Sequence, residues 1–373
     1  MILSISKNNH NASYCILDYD GKIIYYTQEE RFSRKKNSSI YDDSFVDHIN
    51  NKLQHFNIKT LDALLISNCF RGIRDKLSLR DLINKLKADV VFAKLENAKH
   101  HKFHAFCGYS FSNFDEAICL VIDGWGSKIR IDNFSGYETT SVFKISNQNK
   151  LKTLYRKLNY DAQRFQIVNK EFIKSKVDYD IDVTQRLDIG VMYGTISRHL
   201  GFSVLDAGKT MGLSAWGNYD NKIPNMLLQN KFCNMNLFKN DRQLDTDLYP
   251  FLKNLSLDQQ KNLAFLIQKS TENYFIECIK YIKSKSNVKN IVLSGGCALN
   301  VCANSAVKKQ FPDYNIFVDP VASDAGLSIG YGKMWYNENI KDFKVLKEKN
   351  IYLNTPYNED TITQDLKKYE TNG

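Results

Sequence analysis

The chain has 373 residues, 43% of them hydrophobic, and 51 Lys and Arg against 41 Asp and Glu leave a formal charge of +10. That length fits two lobes of ordinary size, and the composition excludes a disordered or fibrous protein. The longest apolar runs, such as Ala117 to Ile122, fall well short of the roughly 20 residues a membrane span needs.

The first 30 residues read as three short strands. Ile2 to Ser6 leads into a polar turn, Lys7 to Asn11, and Ser13 to Leu17 and Lys22 to Gln28 form a hairpin closed by Asp20-Gly21. A helix is expected near Asp43 to Leu53 and a strand at Ala63 to Ser67. Residues 83 to 110 have a helical pattern throughout. A similar grammar then restarts: Glu116 to Ile122 as a strand, Asp123 to Gly126 as a tight turn, Tyr137 to Ile145 as its partner. Leu187 to Leu200 reads as an amphipathic helix and Asp258 to Lys283 as a long one. Asn290 to Leu293 and Asn315 to Val318 are further strands. The double start describes two related α/β lobes facing a cleft. The expected divisions are 1–113, 114–345 with a closing helix, and a tail over 346–373.

Met1 runs directly into a strand pattern, with no cleavable leader expected. The eight cysteines show no CxxC pairing, and Cys15 and Cys119 lie in apolar strands. They read as buried reduced thiols of a cytoplasmic protein. Much of the positive charge lies in Arg71 to Lys102 and Lys144 to Lys176; the second stretch holds nine Lys or Arg against Asp161 and Glu171. A solvated basic surface accounts for this, and so does a surface that receives phosphates. No zinc-finger, basic-zipper or RNA-binding signature accompanies the charge, which argues against direct reading of a nucleic-acid sequence.

Several motifs carry chemistry. His100 and His104 are four apart, so on a helix they share a face. An aspartate at the end of a strand, Asp123, is placed to close a metal site with them; two imidazoles plus carboxylates suit iron, zinc or manganese. Asp324 reads either as a helix cap or as a further carboxylate ligand. His10, in the amide-rich turn Asn8 to Ser13, is either a surface histidine or a proton acceptor for an alcohol. The run Gln28 to Lys36 is either a charged edge or part of a phosphate-donor site. Three glycine-containing turns, Asp123 to Gly126, Ala207 to Gly212 and Ser294 to Asn300, stand where phosphate cradles would. The second is not a Walker A loop, because GxxxxGK[ST] is absent before Lys209.

Together His10 to Ser13, Gln28 to Arg34, His100 to Ala105, Val121 to Gly126, Gly208 to Leu213, Ser294 to Asn300 with Asn304, and Ala322 to Gly326 resemble the O-carbamoyltransferase family of nodulation, cephamycin and nebramycin type. The resemblance runs from residue 1 to about 357. It implies the two-lobed actin, sugar-kinase and Hsp70-like (ASKHA) fold, related to the tRNA threonylcarbamoyl transferases. It also implies transfer of a carbamoyl group from carbamoyl phosphate, activated with ATP as carbamoyl-adenylate, to an acceptor hydroxyl. By resemblance His100, His104, Asp123 and Asp324 hold a metal, iron foremost, and His10 is the base. Lys35, Gly124, Gly194, Gly208, Lys209, Gly295, Gly296, Asn300 and Ser323 line the nucleotide.

Two departures stand out. The family's aspartate after the first histidine is Asn11 here, which removes a negative charge from beside His10. Ile351 to Leu366 resembles only the opening of the family's C-terminal YrdC-like domain, so a partner domain acting in trans, or lying beyond this sequence, is the implied source of activated donor. The expected acceptor is a small-molecule or sugar alcohol of a biosynthetic route. A hydroxymethylated base in a nucleotide or in DNA is the alternative, and a nucleotide-binding module without catalysis a further one. A homodimer is compatible with all of these.

Overall fold

The computed structural model describes residues 1–7, 10–39, 42–68, 79–146, 151–160, 170–185, 187–229, 231–240, 242–340, 344–345, 347–349 and 359–370. Asn8, Asn9, Arg71, Asp161 and the stretch Ile351 to Asn354, named above, lie outside them.

The first lobe contains β1 (Ile2–Ser6), β2 (Ser13–Leu17), β3 (Ile23–Gln28), a single turn α1 (Glu30–Ser33), α2 (Asp43–His55), β4 (Thr60–Leu61), β5 (Ala63–Ser67), α3 (Leu79–Lys85), β6 (Asp89–Val90), β7 (Ala93–Glu96) and α4 (His100–Phe111). Its sheet runs β3-β2-β1-β5-β7. The first three strands form an antiparallel meander, and β5 and β7 join parallel. Parallel neighbours need crossovers, which α2 and α3 supply. Asp42 caps α2 by accepting from the N–H groups of Ser44 and Phe45, and Phe45, Val46, Ile49 and Leu53 then face the sheet residues Leu3, Ile5, Ile16 and Leu64.

The second lobe repeats this order. It contains β8 (Glu116–Ile122), β9 (Lys128–Ile131), β10 (Phe134–Ser146), β11 (Lys152–Tyr160), α5 (Lys170–Ser175), β12 (Asp180–Gln185), α6 (Ile189–His199) and α7 (Ala207–Ser214). Two small hairpins follow, β13 (Leu227–Leu228) with β14 (Phe232–Cys233) and β15 (Phe238–Asn240) with β16 (Gln243–Leu244). Then come α8 (Leu257–Lys285), β17 (Asn290–Ser294), α9 (Val301–Gln310), β18 (Asn315–Val318), α10 (Leu327–Asn339) and α11 (Glu359–Glu370). The sheet order is β12-β11-β10-β8-β17-β18. Again three antiparallel strands, β8, β10 and β11, precede two parallel additions, β17 and β18. The expected double start is therefore present as two sheets of matching topology.

Two expectations fail locally. Residues 83–110 are not one helix: β6 and β7 interrupt them, because Ala93 to Glu96 adds as a parallel edge strand to β5, and sheet pairing overrides the helical pattern. The segment Ala207 to Gly212 is not a turn but the body of α7. No helix among the described residues is long and apolar enough to cross a membrane. Cys15, Cys107, Cys119 and Cys233 are buried free thiols.

The lobes meet along α4 and α10. Helix α4 packs on the second sheet beside Cys119 and Val292, while α10 joins the same core from beneath Ile2, Leu17 and Leu65 of the first. The two helices touch backbone to backbone: a Cβ built on Gly330 would lie 1.8 Å from the carbonyl oxygen of Phe103. Phe103 and Tyr331 stack beside that contact at 4.4 Å between ring centroids.

Because no side chain can rotate away from a backbone clash, Gly330→Ala is expected to lower stability by about 1–3 kcal/mol or more. Gly208→Ala, on α7 where nothing lies within 4 Å of an added Cβ, should raise it by about 0.4–1 kcal/mol. Denaturant midpoints of the two variants against the parent check both signs.

Candidate active site and metal centre

Helix α4 begins with its chemistry. Lys99 at its cap position makes no side-chain bond to the helix; instead the Ser127 hydroxyl of the second lobe accepts the His100 N–H at 3.0 Å. That fixes the first turn, and His100 and His104 then point the same way, with Nε2 atoms 3.1 Å apart. Asp123, just past the end of β8, brings Oδ2 within 3.0 Å of His100 Nε2 and 3.4 Å of His104 Nε2. Its Oδ1 accepts the Gly124 N–H at 2.7 Å.

Asp324 arrives on the turn ahead of α10, the second-lobe helix that packs against the sheet of the first lobe. It opens a short 3-10 turn, residues 324–326; Ser323 holds the cap position of that turn without a side-chain cap bond. Its Oδ1 lies 3.5 Å from His100 Nε2 and 3.6 Å from His104 Nε2. First-lobe side chains clamp the turn: Ser6 donates to the Asp324 carbonyl, and Ser13 and Tyr26 donate to that of Ala325. Behind it the buried Asp319 carboxylate accepts from the Ser294 hydroxyl at 2.6 Å and from the Val321 N–H at 2.8 Å, tying the β17 loop to the Asp324 turn. Of the two uses open to Asp324 from sequence, the structure sets it against the histidines and not in a cap.

The four ligand atoms of His100, His104, Asp123 and Asp324 all lie within 4.8 Å of one another. Donors about 2.0–2.2 Å from one ion stand roughly 3.0–3.5 Å apart along a coordination edge, which is the spacing seen between the histidine nitrogens and both carboxylates. Two imidazoles whose Nε2 atoms face each other at 3.1 Å cannot both keep a lone pair there without repulsion; a proton or a cation between them removes it. The group therefore fits a divalent ion of the iron, zinc or manganese type. Both histidines are fully buried, whereas the Asp123 side chain is 13% exposed and marks the open side.

Electrostatics agree. Burial works against ionising Asp123 and Asp324, yet the two histidines hold both carboxyls below the usual range. Burial likewise works against a charged His104, but its bonds to Asp123 and Asp324 carry it above the ordinary histidine value. The neighbouring His101 is driven neutral, first by burial and then by His100; its Nδ1 lies 2.8 Å from the Ser141 hydroxyl.

Glycines surround the Asp123 turn. An added Cβ on Gly295, where φ is +87°, would lie 2.4 Å from the Ile122 carbonyl, and one on Gly296 would lie 3.0 Å from Asp123 Oδ1. A Cβ added to Gly190, in the first turn of α6, would lie 2.9 Å from the Asp123 carbonyl and from the Gly124 backbone. Gly190 and Gly295 require glycine because backbone meets backbone, and Gly295 also holds a positive φ, whereas Gly296 leaves room for the Asp123 carboxylate. Gly124 itself faces open space, and Ser323 is half-buried beside Asp324.

The other predicted residues divide. Gly208 is open to solvent on α7, and Lys209 beside it bonds Asp206 at 3.1 Å. Asp206 also receives Lys36 from the first lobe at 3.3 Å, so this carboxylate is bracketed by a lysine from each lobe. Lys35 is exposed. Two positions are structural here. An added Cβ on Gly194 would meet Val204 at 2.8 Å, so that glycine allows close packing. The Asn300 side chain caps α9 through Ala303 N–H and pairs with Gln268.

His10 is half-buried. Its Nδ1 lies 2.6 Å from Asn11 Oδ1, and Asn11 holds a left-handed backbone with φ of 57°. Asn11 Nδ2 donates to Asn37 Oδ1 at 3.2 Å, which orients the amide with its oxygen toward His10. His10 lies in the turn between β1 and β2, and the residues flanking that turn, Ser6 and Ser13, bond the carbonyls of Asp324 and Ala325, so the base candidate belongs to the stretch of chain that clamps the Asp324 side of the cluster. Ser127, Asp188, Gly190 and Asp206 were not anticipated, whereas Lys36 ends the charged run read from sequence. Asp188, wholly buried, caps α6 and binds Lys157 at 2.7 Å and Thr139 at 2.6 Å; its one sequence signal is an acidic residue directly before an apolar helical run.

Two sheets that share a five-strand order, the second extended by β9 and β12, with glycine loops at strand ends, have the actin/sugar-kinase-like fold. Full-length HypF, solved in a phosphate- and nucleotide-bound form, aligns with a TM-score of 0.50 over 91% of this chain and 55% of its own, at 13% identity; the likeness is one of fold. The family profile described as carbamoyltransferase N-terminus matches residues 73–332, and the chain belongs to that family. Among curated relatives, the uncharacterised protein MJ1051 of Methanocaldococcus jannaschii is 26% identical over 340 residues, 88% of this chain and 56% of that protein. The nodulation protein NolNO of Sinorhizobium fredii is 23% identical over 353 residues, 87% of this chain and 46% of that protein. The chain thus spans about half the length of these relatives.

About one divalent ion per chain is expected on elemental analysis of the parent, and a much reduced content in His104→Ala. The pH dependence has a defined sign. A histidine raised on folding stabilises the metal-free protein below its unfolded value, and that gain is lost as pH rises through the folded value. A cation must displace the His104 proton, so its affinity should grow about tenfold per pH unit below the folded value and then level off. Thermal shifts with and without metal across pH 5–9 would show opposite slopes; parallel slopes would dismiss the site.

Proposed function

We propose that this chain is the transfer unit of an O-carbamoyltransferase, moving a carbamoyl group from an activated, nucleotide-linked donor to an acceptor hydroxyl. The observation that carries this reading is the His100, His104, Asp123 and Asp324 cluster clamped by Ser6 and Ser13, the residues on either side of the turn that holds His10 against Asn11. Family membership supplies the group transferred.

With Asn11 Oδ1 accepting the Nδ1 proton, the His10 lone pair is on Nε2. That nitrogen takes the acceptor's proton as the acceptor oxygen bonds the carbamoyl carbon. The bond from that carbon to the donor's phosphate oxygen breaks, and the electron pair leaves with the nucleotide phosphate. A divalent ion held by the four ligands supplies Lewis acidity at the phosphate end of the donor. The glycine turns at Gly124 and at Gly295-Gly296, with Ser323, would border that end, the Gly124 N–H being held by Asp123 Oδ1 until a ligand competes for it, and Gly208 with Lys209 would add to the nucleotide's lining. Asn300 acts there only as a frame, since its side chain is already engaged. Carbamoyl phosphate and ATP are the proposed sources of donor, joined as carbamoyl-adenylate by a YrdC-like domain.

A small alcohol is the favoured acceptor. The alternative, a modified base in DNA, draws on the basic stretches, but their described cations are largely spent. Lys144 pairs with Glu116, Lys174 with Glu171 and Lys176 with Asp132. Arg156 and Lys157 are buried against Glu138 and Asp188.

The test supplies preformed carbamoyl-adenylate and a panel of sugars and other alcohols, with the acceptor's mass as readout. His10→Asn should lose about 10²–10⁴ in rate while its metal content stays parental. In Asn11→Asp the new carboxylate favours the protonated imidazole, so the acidic limb of the rate profile should move to higher pH. Parental turnover in His10→Asn, or no product from the parent across the panel, would reject the reading.

A further inference from the structure

The two edges of the first sheet are unlike. At one, none of the residues of β3 is exposed, and the Ile23 N–H donates to the Glu348 carboxylate. At the other, no further described strand pairs with β7. Four large apolar side chains are exposed among the described residues of the first lobe, and three of them stand here: Val91 (73%), Phe92 (44%) and Leu95 (48%). A free strand edge with exposed apolar residues recruits another strand. Its one basic residue, Lys94, is already answered by Glu96 on the same face, loosely, at 3.9 Å.

The bonds to β5 fix which backbone groups face out. The Phe92 carbonyl accepts from the Leu64 N–H and the Glu96 carbonyl from that of Asn68. Alternation then turns the N–H and C=O of Ala93 and Leu95 away from the sheet. Charge selects among the ways in which two copies could share these groups antiparallel. With Ala93 opposite Leu95, Lys94 meets Lys94 of the second copy, and like charges directly opposite are unfavourable. With Ala93 opposite Ala93, Leu95 must pair with Val91, whose N–H is already held by the Leu61 carbonyl. With Leu95 opposite Leu95, each Lys94 lies across from Glu96 of the second copy. The edge is complementary to itself, as a twofold contact requires.

We propose that β7 is a dimer edge: two copies of this chain pair their β7 strands antiparallel about a twofold axis at Leu95. The two first-lobe sheets become one. The Leu95 side chains cover each other on one face, and the Lys94 and Glu96 side chains alternate on the other. A contact built on one short strand pair is of the small, concentration-dependent kind. The inference does not rest on the transfer reading.

Sedimentation equilibrium of the full chain, from micromolar to submillimolar concentration, reads it directly. The parent should approach the mass of two chains. Lys94→Glu and Glu96→Lys each set like charges across both contacts, so each should weaken self-association by about tenfold or more. An equimolar mixture of the two should regain it, because each supplies the charge the other lacks. Glu96 Oε1 also accepts the N–H groups of Asn97 and Ala98, so Leu95→Asp probes the contact independently of that role; it brings like charges together on the axis and should give the mass of one chain. A parent that stays at one chain's mass throughout overturns the proposal. So does a dimer that Lys94→Glu and Leu95→Asp leave at parental strength, which would place the contact elsewhere on the surface. A mixture of the two folded single variants that associates no better than either alone would overturn it as well.

Discussion

The structure depends on the close crossing of α4 and α10. Each helix packs beneath the sheet of a different lobe, so the distance between their axes sets the distance between the lobes. Gly330 against the Phe103 carbonyl allows the backbones to touch, closer than the usual 8–10 Å between helix axes built on side-chain ridges. The site follows from that contact. The histidines occupy the first turns of α4 and Asp324 lies just ahead of α10. Gly108 against Val292 and Gly326 against the Val321 carbonyl and Cys107 keep the same region thin. A separation of an ångström or two would leave Asp324 with the first lobe and the histidines with the second.

Much of this was legible. β1, β2, β5 and β8 have the bounds read from their apolar runs, because strands buried on both faces are continuous and end at polar turns; the half-buried edge strand β18 also keeps its expected bounds. The four-residue histidine spacing needs only the helical period. Asp123 could be read because it ends an apolar strand. What was not legible depends on distant chain. Nothing local says that Ser127 caps a helix 27 residues earlier or that Gly190 presses on the Asp123 turn. Ala93 to Glu96 has a charged, helix-compatible composition and becomes a strand only because β5 offers an edge. Gly208 and Gly212 suggested a turn by residue type, yet Thr210 and Ser214 anchor α7 as a helix by facing inward.

The formal charge of +10 describes the chain poorly as a surface. Lys157 is wholly buried, donating to Asp188 at 2.7 Å, to the Lys231 carbonyl at 2.7 Å and to Tyr274 at 3.3 Å, while Thr139 and Tyr274 answer the other oxygen of Asp188. A buried pair of this kind is tolerated because every donor and acceptor has a partner. It spends a cation on holding β11, α6 and α8 together. Lys333 does the same between α10, Gly21 and Glu348. Counting lysines therefore overstates what an anionic partner would meet.

Asp123 divides its carboxylate between two clients: one oxygen faces the histidines and the other the Gly124 amide. The consequence is thermodynamic. A ligand that draws the Gly124 N–H to itself frees an oxygen and so changes the donor strength at the cation; a cation that draws the carboxylate inward loosens that amide for the ligand. Whatever factor one event imposes on the affinity of the other must be returned in full, so cation and loop ligand are coupled through a single side chain without any movement of the lobes.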